Sequence, residues 1–264
     1  MPVSMDALAD DLAAETAVLR ELLAPLDERD WRRATPAAGW SIGDQVAHLA
    51  HFDDVAVQSA VEPDAFRVEL EQIVAAGGVS PDTIAELYRG RSGAELLAWF
   101  DDARGRLISA FRPLDPSLRV PWFGPSMSAA SSLTARIMET WAHGQDVADT
   151  VGTQREPTDR LRHVAHIGVG ARGYSYVVNG REVDATPVRV ELDAPSGARW
   201  SWGPEDAPDR ISGPALDFCL AVTQRRHRDD TALVITGPVA TDWMSIAQAF
   251  AGDAGTGRKA GEFA

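Results

Sequence analysis

The stretch R-I-M-E-T-W-A-H-G-Q-D-V-A-D, residues 136–149, decides how this chain is read. Glu139 and His143 are four residues apart, a spacing that puts both side chains on one face of an α-helix, about one turn apart. Such a pair can grip a cation if a third donor arrives from another helix. His48, in W-S-I-G-D-Q-V-A-H-L at 40–49, is the candidate. Two imidazoles and one carboxylate leave coordination positions open, as catalytic sites do, whereas structural zinc sites close all four positions with protein atoms. Each piece alone has a plainer reading. A single His beside an apolar face is more often a hydrogen-bonded structural residue, and an acid–His pair at this spacing can be ordinary helix stabilisation worth about a few tenths of a kcal/mol. Asp146 lies three residues beyond His143 on the same face and is expected to steady that imidazole rather than to replace a ligand.

Working outward, the helix that carries Glu139 and His143 is predicted over 129–151, with Gly152 as its terminator. Ser41 can cap the helix of His48, with Asp44 at the third position. A first helix is predicted from Asp6 to about Leu26, where Leu8, Leu12, Leu19 and Leu22 build an apolar stripe. Ser80 before Pro81, and Ser92 with Glu95 three residues on, open two more helices. The second of these continues through Leu96, Phe100 and Leu107. Pro157 and Thr158 open another, running to about Val178 and stopped by Asn179 and Gly180. Beyond residue 185 the period changes. T-P-V-R-V-E-L-D-A alternates as a half-buried strand, A-R-W-S-W pairs with it, and P-S-G supplies the turn. A helix over 214–223, a strand over 231–236 and a helix over 241–251 complete the expectation, and the tail from Gly252 is expected to be mobile. Two domains follow, 1–185 and 186–264.

Composition narrows the function classes. The 264 residues are 45% hydrophobic, enough to bury a sizeable core. With 39 acidic against 25 basic residues the formal charge is −14, which disfavours nucleic acid and anionic membrane as partners. A single cysteine, Cys219, excludes an intrachain disulfide and a Cys-rich zinc site and suits a reducing cytoplasm. No segment approaches the roughly 18 apolar residues of a membrane span, and the start M-P-V-S-M-D has no basic flank leading into an apolar run. A cytoplasmic location is the expectation.

The helix start W-S-x-x-D-x-x-x-H-L and the later R-x-x-E-x-x-x-H-x-x-D resemble the DinB-like superfamily, in particular its branch of mycothiol-dependent maleylpyruvate isomerases. P-W-F-G-P-S-M-S and R-I-M-E-T-W-A-H-G-Q-D-V-A-D are similar to a group of that branch described only as metal-binding proteins. The likeness covers most of residues 5–180. It implies a mainly α fold, a four-helix bundle holding a divalent metal, commonly zinc, at His48, Glu139 and His143. It also implies a small α/β domain similar to a sterol-carrier fold over 186–264. Mycothiol enters as the implied cosubstrate.

For the substrate, Trp122, Phe123 and Met127 sit in an apolar loop that can wall a pocket, although core packing is the plainer role of such residues. Arg225 and Arg226 belong to a basic run whose ordinary reading is a solvated helix end, yet an arginine fork there can bind a carboxylate. Arg136, one turn before Glu139, competes for that role. Trp141, His51, His163 and His166 are expected to pack or face solvent. Three functions remain open. A metal-activated thiol would make the chain an isomerase or thiol transferase acting on an acidic electrophile; activated water would make it a hydrolase or lyase; a binding module would retain a ligand without turnover.

Overall fold

A computed structural model describes residues 4–78 and 80–263. The chain divides into two compact units, 1–155 and 156–264. The first is a four-helix bundle of α1 (Met5–Leu23), α3 (Ile42–Val61), α6 (Gly93–Phe111) and α7 (Ala129–Val151). α3 packs along α6 and α7, and α1 along α7.

The helix ends follow from local chemistry. Ser41 and Ser92 each form a capping box, with Asp44 and Glu95, so the first turns of α3 and α6 leave fewer amides unpaired. Ser128 accepts from Ser131 N at the start of α7, and Gly152 ends that helix in a left-handed conformation, φ 73°. A side chain there would be strained, which is why glycine stands at that position. α1 stops at Leu23, short of Pro25, which has no N–H to extend the helical hydrogen bonding. Short helices α2 (Glu28–Trp31), α4 (Pro63–Ala75) and α5 (Pro81–Tyr88) join the bundle. A two-stranded ribbon of β1 (Arg119–Val120) and β2 (Met127–Ser128) leads into α7. α4 has no signature in the apolar pattern because Phe66 is its one buried residue among those described.

Two apolar clusters fill the bundle. One joins Leu19, Val46, Ala50, Phe100, Ala103 and Val147, and the other joins Leu12, Ala56, Leu107, Leu133 and Ile137. On every helix a polar residue falls between the two in sequence: Thr16, Asp53, Arg104 and Thr140, all buried. A polar layer therefore crosses the bundle at mid-height. Asp53 pairs with Arg104 at 2.7 Å, and the guanidinium also donates to Thr140 Oγ1 at 3.0 Å and to Thr16 Oγ1. Both hydroxyl protons are spent on helix carbonyls, Leu12 O and Arg136 O, so each oxygen turns a lone pair toward Arg104.

The second unit contains α8 (Leu161–Gly170), α9 (Arg172–Val178), α10 (Ala215–Val222) and α11 (Pro238–Ile246) with a four-stranded sheet. Its strands are β3 (Val188–Asp193), β4 (Arg199–Trp202), β5 (Asp209–Pro214) and β6 (Val234–Thr236), in the order β4-β3-β5-β6. β3 and β4 form the expected antiparallel hairpin. β5 is unannounced by its sequence D-R-I-S-G-P, yet it pairs parallel to β3 with Val190 opposite Ile211 and carries β6 on its other edge.

Several expectations are corrected here. The contacts divide the chain at 155/156, ahead of the expected 185, and α8 packs on α10. The single helix foreseen from Pro157 to Val178 begins at Leu161 and breaks at Ala171, between Gly170 and Gly173, residues that weaken a helix interior. The last helix starts earlier, at Pro238, and the strand before it is shorter. The tail is tied down as far as Phe263: Gly252 N donates to Tyr174 Oη, Gly255 N to Gln248 Oε1 and Gly261 N to Asp230. Ala264 lies outside the described residues. None of the described helices is long and apolar enough to cross a membrane.

Candidate metal centre

His48 stands on the second turn of α3, and Glu139 and His143 share one face of α7. Because α3 packs along α7, their donor atoms meet, all within 4.8 Å of one another. His48 Nε2 lies 3.4 Å and His143 Nε2 3.2 Å from the same oxygen, Glu139 Oε2. Charge-assisted N–H···O bonds close to about 2.7–2.9 Å. Donors about 2.0–2.1 Å from a tetrahedral ion are separated by roughly 3.4 Å. The spacing therefore fits the edges of a coordination polyhedron better than direct pairing.

The titration behaviour agrees with that reading. Burial, followed by repulsion from His143, pushes His48 down to about 4, so its ring is neutral near pH 7 and keeps a lone pair for a cation. Burial alone would raise Glu139, but its contacts with His143 and His48 and the charge of Arg136 hold it well below the ordinary carboxylate range. The cluster is sheltered without being sealed. The side chains of His48, His143 and Glu139 keep 10%, 11% and 17% of their exposure.

A relay behind His143 selects its tautomer. Thr35 donates its hydroxyl proton to Trp40 O at 2.9 Å, so its oxygen must accept from Gln45 Nε2 at 2.8 Å. That orientation turns Gln45 Oε1 toward His143 Nδ1, to which it is hydrogen-bonded. The proton is thereby assigned to Nδ1, and the Nε2 lone pair faces Glu139. The residue that meets His143 Nδ1 is therefore Gln45, from the facing helix. With one ring nitrogen on Gln45 and the other on Glu139, both nitrogens of His143 are engaged. Gln45 was not singled out from the sequence, although a glutamine among Ile42, Val46, Ala47 and Leu49 on a buried helix was a usable signal.

Aromatic rings close the sides. Trp40 stacks on His143 with ring centroids 5.8 Å apart and leans on His48 at 5.3 Å, while its Nε1 donates to Asp82 Oδ1 at 2.6 Å. Phe52, one turn beyond His48, contacts that ring at 4.6 Å. Phe52 also lies 6.3 Å from Trp122 and 6.0 Å from Phe123, and Phe66 stacks on Trp122. Trp122 and Phe123 are thus joined to the cluster through Phe52. Met127 is half-buried on β2. Trp141 packs in the core, against the Arg155 guanidinium. His51 meets Tyr88 Oη at 3.1 Å. Arg225 and Arg226 follow α10 in the second unit, where Arg225 donates to Thr223 O and Arg226 lies over the Phe263 ring at 4.4 Å; His163 and His166 are on α8.

The profile described as "Mycothiol maleylpyruvate isomerase N-terminal domain" matches residues 12–148, which span all four bundle helices and the three donors. The chain belongs to that family. Two uncharacterised proteins of Mycobacterium tuberculosis, from strains CDC 1551 / Oshkosh and ATCC 25618 / H37Rv, are each 47% identical over 250 residues, covering 94% of this chain and 96% of theirs. A crystal structure of a mycothiol-dependent maleylpyruvate isomerase superposes with a TM-score of 0.57 at 17% identity, covering 89% of this chain and 93% of that one. A histidine-to-alanine mutant of such an isomerase gives 0.58 at 16% identity. These two show that the family fold extends beyond the bundle into the second unit. Within that unit the profile described as "Wyosine base formation" matches residues 184–236.

Proposed function

We propose that this member of the mycothiol maleylpyruvate isomerase family is a metal-dependent enzyme. In this reading a low-molecular-weight thiol, mycothiol in the first instance, attacks an electrophilic, acidic small metabolite, with isomerisation or thiol transfer as the outcome. The observation that carries it is the meeting of His48 Nε2, His143 Nε2 and Glu139 Oε2 at coordination spacing in a cluster that solvent still reaches. The fold neighbours' description as mycothiol-dependent maleylpyruvate isomerases supports the choice of thiol. Borderline nitrogen and oxygen donors suit zinc.

A divalent ion held by these residues would supply a field that favours the deprotonated form of a coordinating thiol near neutral pH. The chain's own groups prepare that chemistry. His48 remains neutral, Glu139 remains ionised and the Gln45 relay points His143 Nε2 inward. Trp40 and Phe52 keep bulk water from the imidazole flanks, which strengthens every charge interaction inside. Attack by the thiolate on a conjugated alkene turns its double bond into a single bond that can rotate. Expulsion of the same thiolate restores the double bond with opposite geometry and unchanged composition. If the carbanion is instead protonated, the thioether persists and the reaction is a transfer. Such a cosubstrate belongs in a reducing cytoplasm.

The test is incubation of purified protein with mycothiol and unsaturated electrophilic acids, followed by mass spectrometry with and without a chelator. Thiol-dependent, chelator-sensitive conversion is expected. Turnover unchanged on omitting mycothiol would overturn the reading and redirect it to activated water.

A further inference from the structure

Arg136 is the group in the bundle that the proposed chemistry has not used. It lies one turn before Glu139 on α7, is 6% exposed, and its Nη1 is buried with no hydrogen-bond partner among the described residues. Its guanidinium carbon is 5.9 Å from the ring centroids of both Phe52 and Trp122. Phe52 in turn touches the His48 ring, so the guanidinium opens on the aromatic side of the metal centre.

A buried charge whose donors are incompletely paired is costly, and the aromatic faces repay part of that cost at most. The surrounding charges sharpen the point. A divalent ion held with one carboxylate would leave one positive charge, which one thiolate would neutralise; Arg136 adds another, and the nearby Asp53 is already paired with Arg104. The second calls for an anion on the reacting partner, and the planar fork of an arginine beside two neighbouring rings suits a flat one.

We propose that Arg136, with Phe52 and Trp122, forms an anion subsite beside the metal centre that receives a flat, singly charged carboxylate. The proposal deepens the functional reading above by naming the chemistry of the second substrate, and it rests on that reading for its role in turnover. Its binding step does not require the metal. Arg136 here is a binding residue that fixes specificity.

The test uses full-length protein, both zinc-loaded and chelator-treated, with benzoate as the probe and benzamide as its neutral counterpart, followed by calorimetry. Benzoate is expected to bind both forms, more tightly with zinc, and benzamide at least about tenfold more weakly. Arg136→Met is expected to lower benzoate affinity by at least about tenfold in both forms, with Arg136→Lys in between. Rescue of part of the lost affinity by the Lys variant separates a charge that binds the probe from an arginine that only packs. Equal benzoate affinity in wild type and Arg136→Met, indifference to the probe's charge, or absence of benzoate binding would each overturn the proposal. Failure of the metal reading alone would leave Arg136-dependent binding in the chelator-treated protein, so the two failures are told apart.

Discussion

Arg104 and Arg136 are buried in the same bundle, 2% and 6% exposed, and their surroundings are opposite. Arg104 is closed in by Asp53, Thr16 and Thr140, each a side chain whose own hydrogen bonding leaves an acceptor for it. Arg136 keeps an unpartnered donor beside three convergent metal-ligand candidates. Each keeps one buried atom without a partner, Asp53 Oδ1 beside Arg104 and Nη1 of Arg136, but Arg104 is bonded to a carboxylate and Arg136, among the described residues, is not. That difference predicts which substitutions will unfold the protein and which will only disarm it.

The largest effect belongs to the donors. His48→Ala or His143→Ala is expected to reduce bound metal from one ion per chain to none, while His163→Ala on α8 leaves it intact, as measured by elemental mass spectrometry on dialysed protein. Equal metal content in the three variants would erase the distinction between the open and closed clusters. Arg104→Ala comes next. It leaves the Asp53 carboxylate buried without its partner, and a loss of about 3–5 kcal/mol in urea denaturation is expected. A loss under about 1 kcal/mol would mean that the mid-height layer is not the structural support described here.

Acidity separates the clusters further. His48 has an ordinary value near 6.5 when unfolded and one of about 4 when folded, so between those values the unfolded chain binds the proton that the folded chain refuses. Stability of the metal-free protein is therefore full above about pH 6.5 and falls as pH drops toward 4, by about 3 kcal/mol at most on this shift. The lowered Glu139 acts in the same direction at lower pH, its contribution being present above the ordinary carboxylate range and lost on acidification. Denaturation at several pH values should show this slope, and His48→Gln should flatten it between pH 6.5 and 4. A wild-type profile without slope in that window would contradict the burial of a neutral His48.

What the sequence discloses follows the same division. Helix ends set by local chemistry are legible, as Ser41 with Asp44, Ser92 with Glu95 and Gly152 show. So is the meeting of Glu139 and His143, which needs only helical spacing. The approach of His48 was reachable through family likeness and not through spacing, because it depends on how α3 packs against α7. β5 was hidden because its pairing with β3 comes from tertiary context rather than from alternation within D-R-I-S-G-P. The acceptor at His143 Nδ1 was hidden for a similar reason. Spacing speaks only for neighbours on one helix, such as Asp146, while Gln45 reaches across from the facing helix.

Gln45 also supplies the smallest and most discriminating effect. Its amide is fixed at one end by Thr35, whose proton is committed to Trp40 O, and this leaves the carbonyl oxygen as the end that faces His143. Gln45→Leu keeps the volume approximately and removes that acceptor, so the imidazole loses both its preferred tautomer and its orientation. Metal affinity is then expected to fall about 10–100-fold, the usual cost of removing a group that orients a ligand, with the fold retained. Gln45→Glu keeps an acceptor for Nδ1 and makes it more basic, so it should bind metal more tightly than Gln45→Leu. Competition with a chelator of known affinity measures the order. If the Leu variant matches wild type, the tautomer is set elsewhere and the relay from Trp40 through Thr35 is mere packing; if Leu and Glu lose affinity equally, volume at position 45 matters and the acceptor does not.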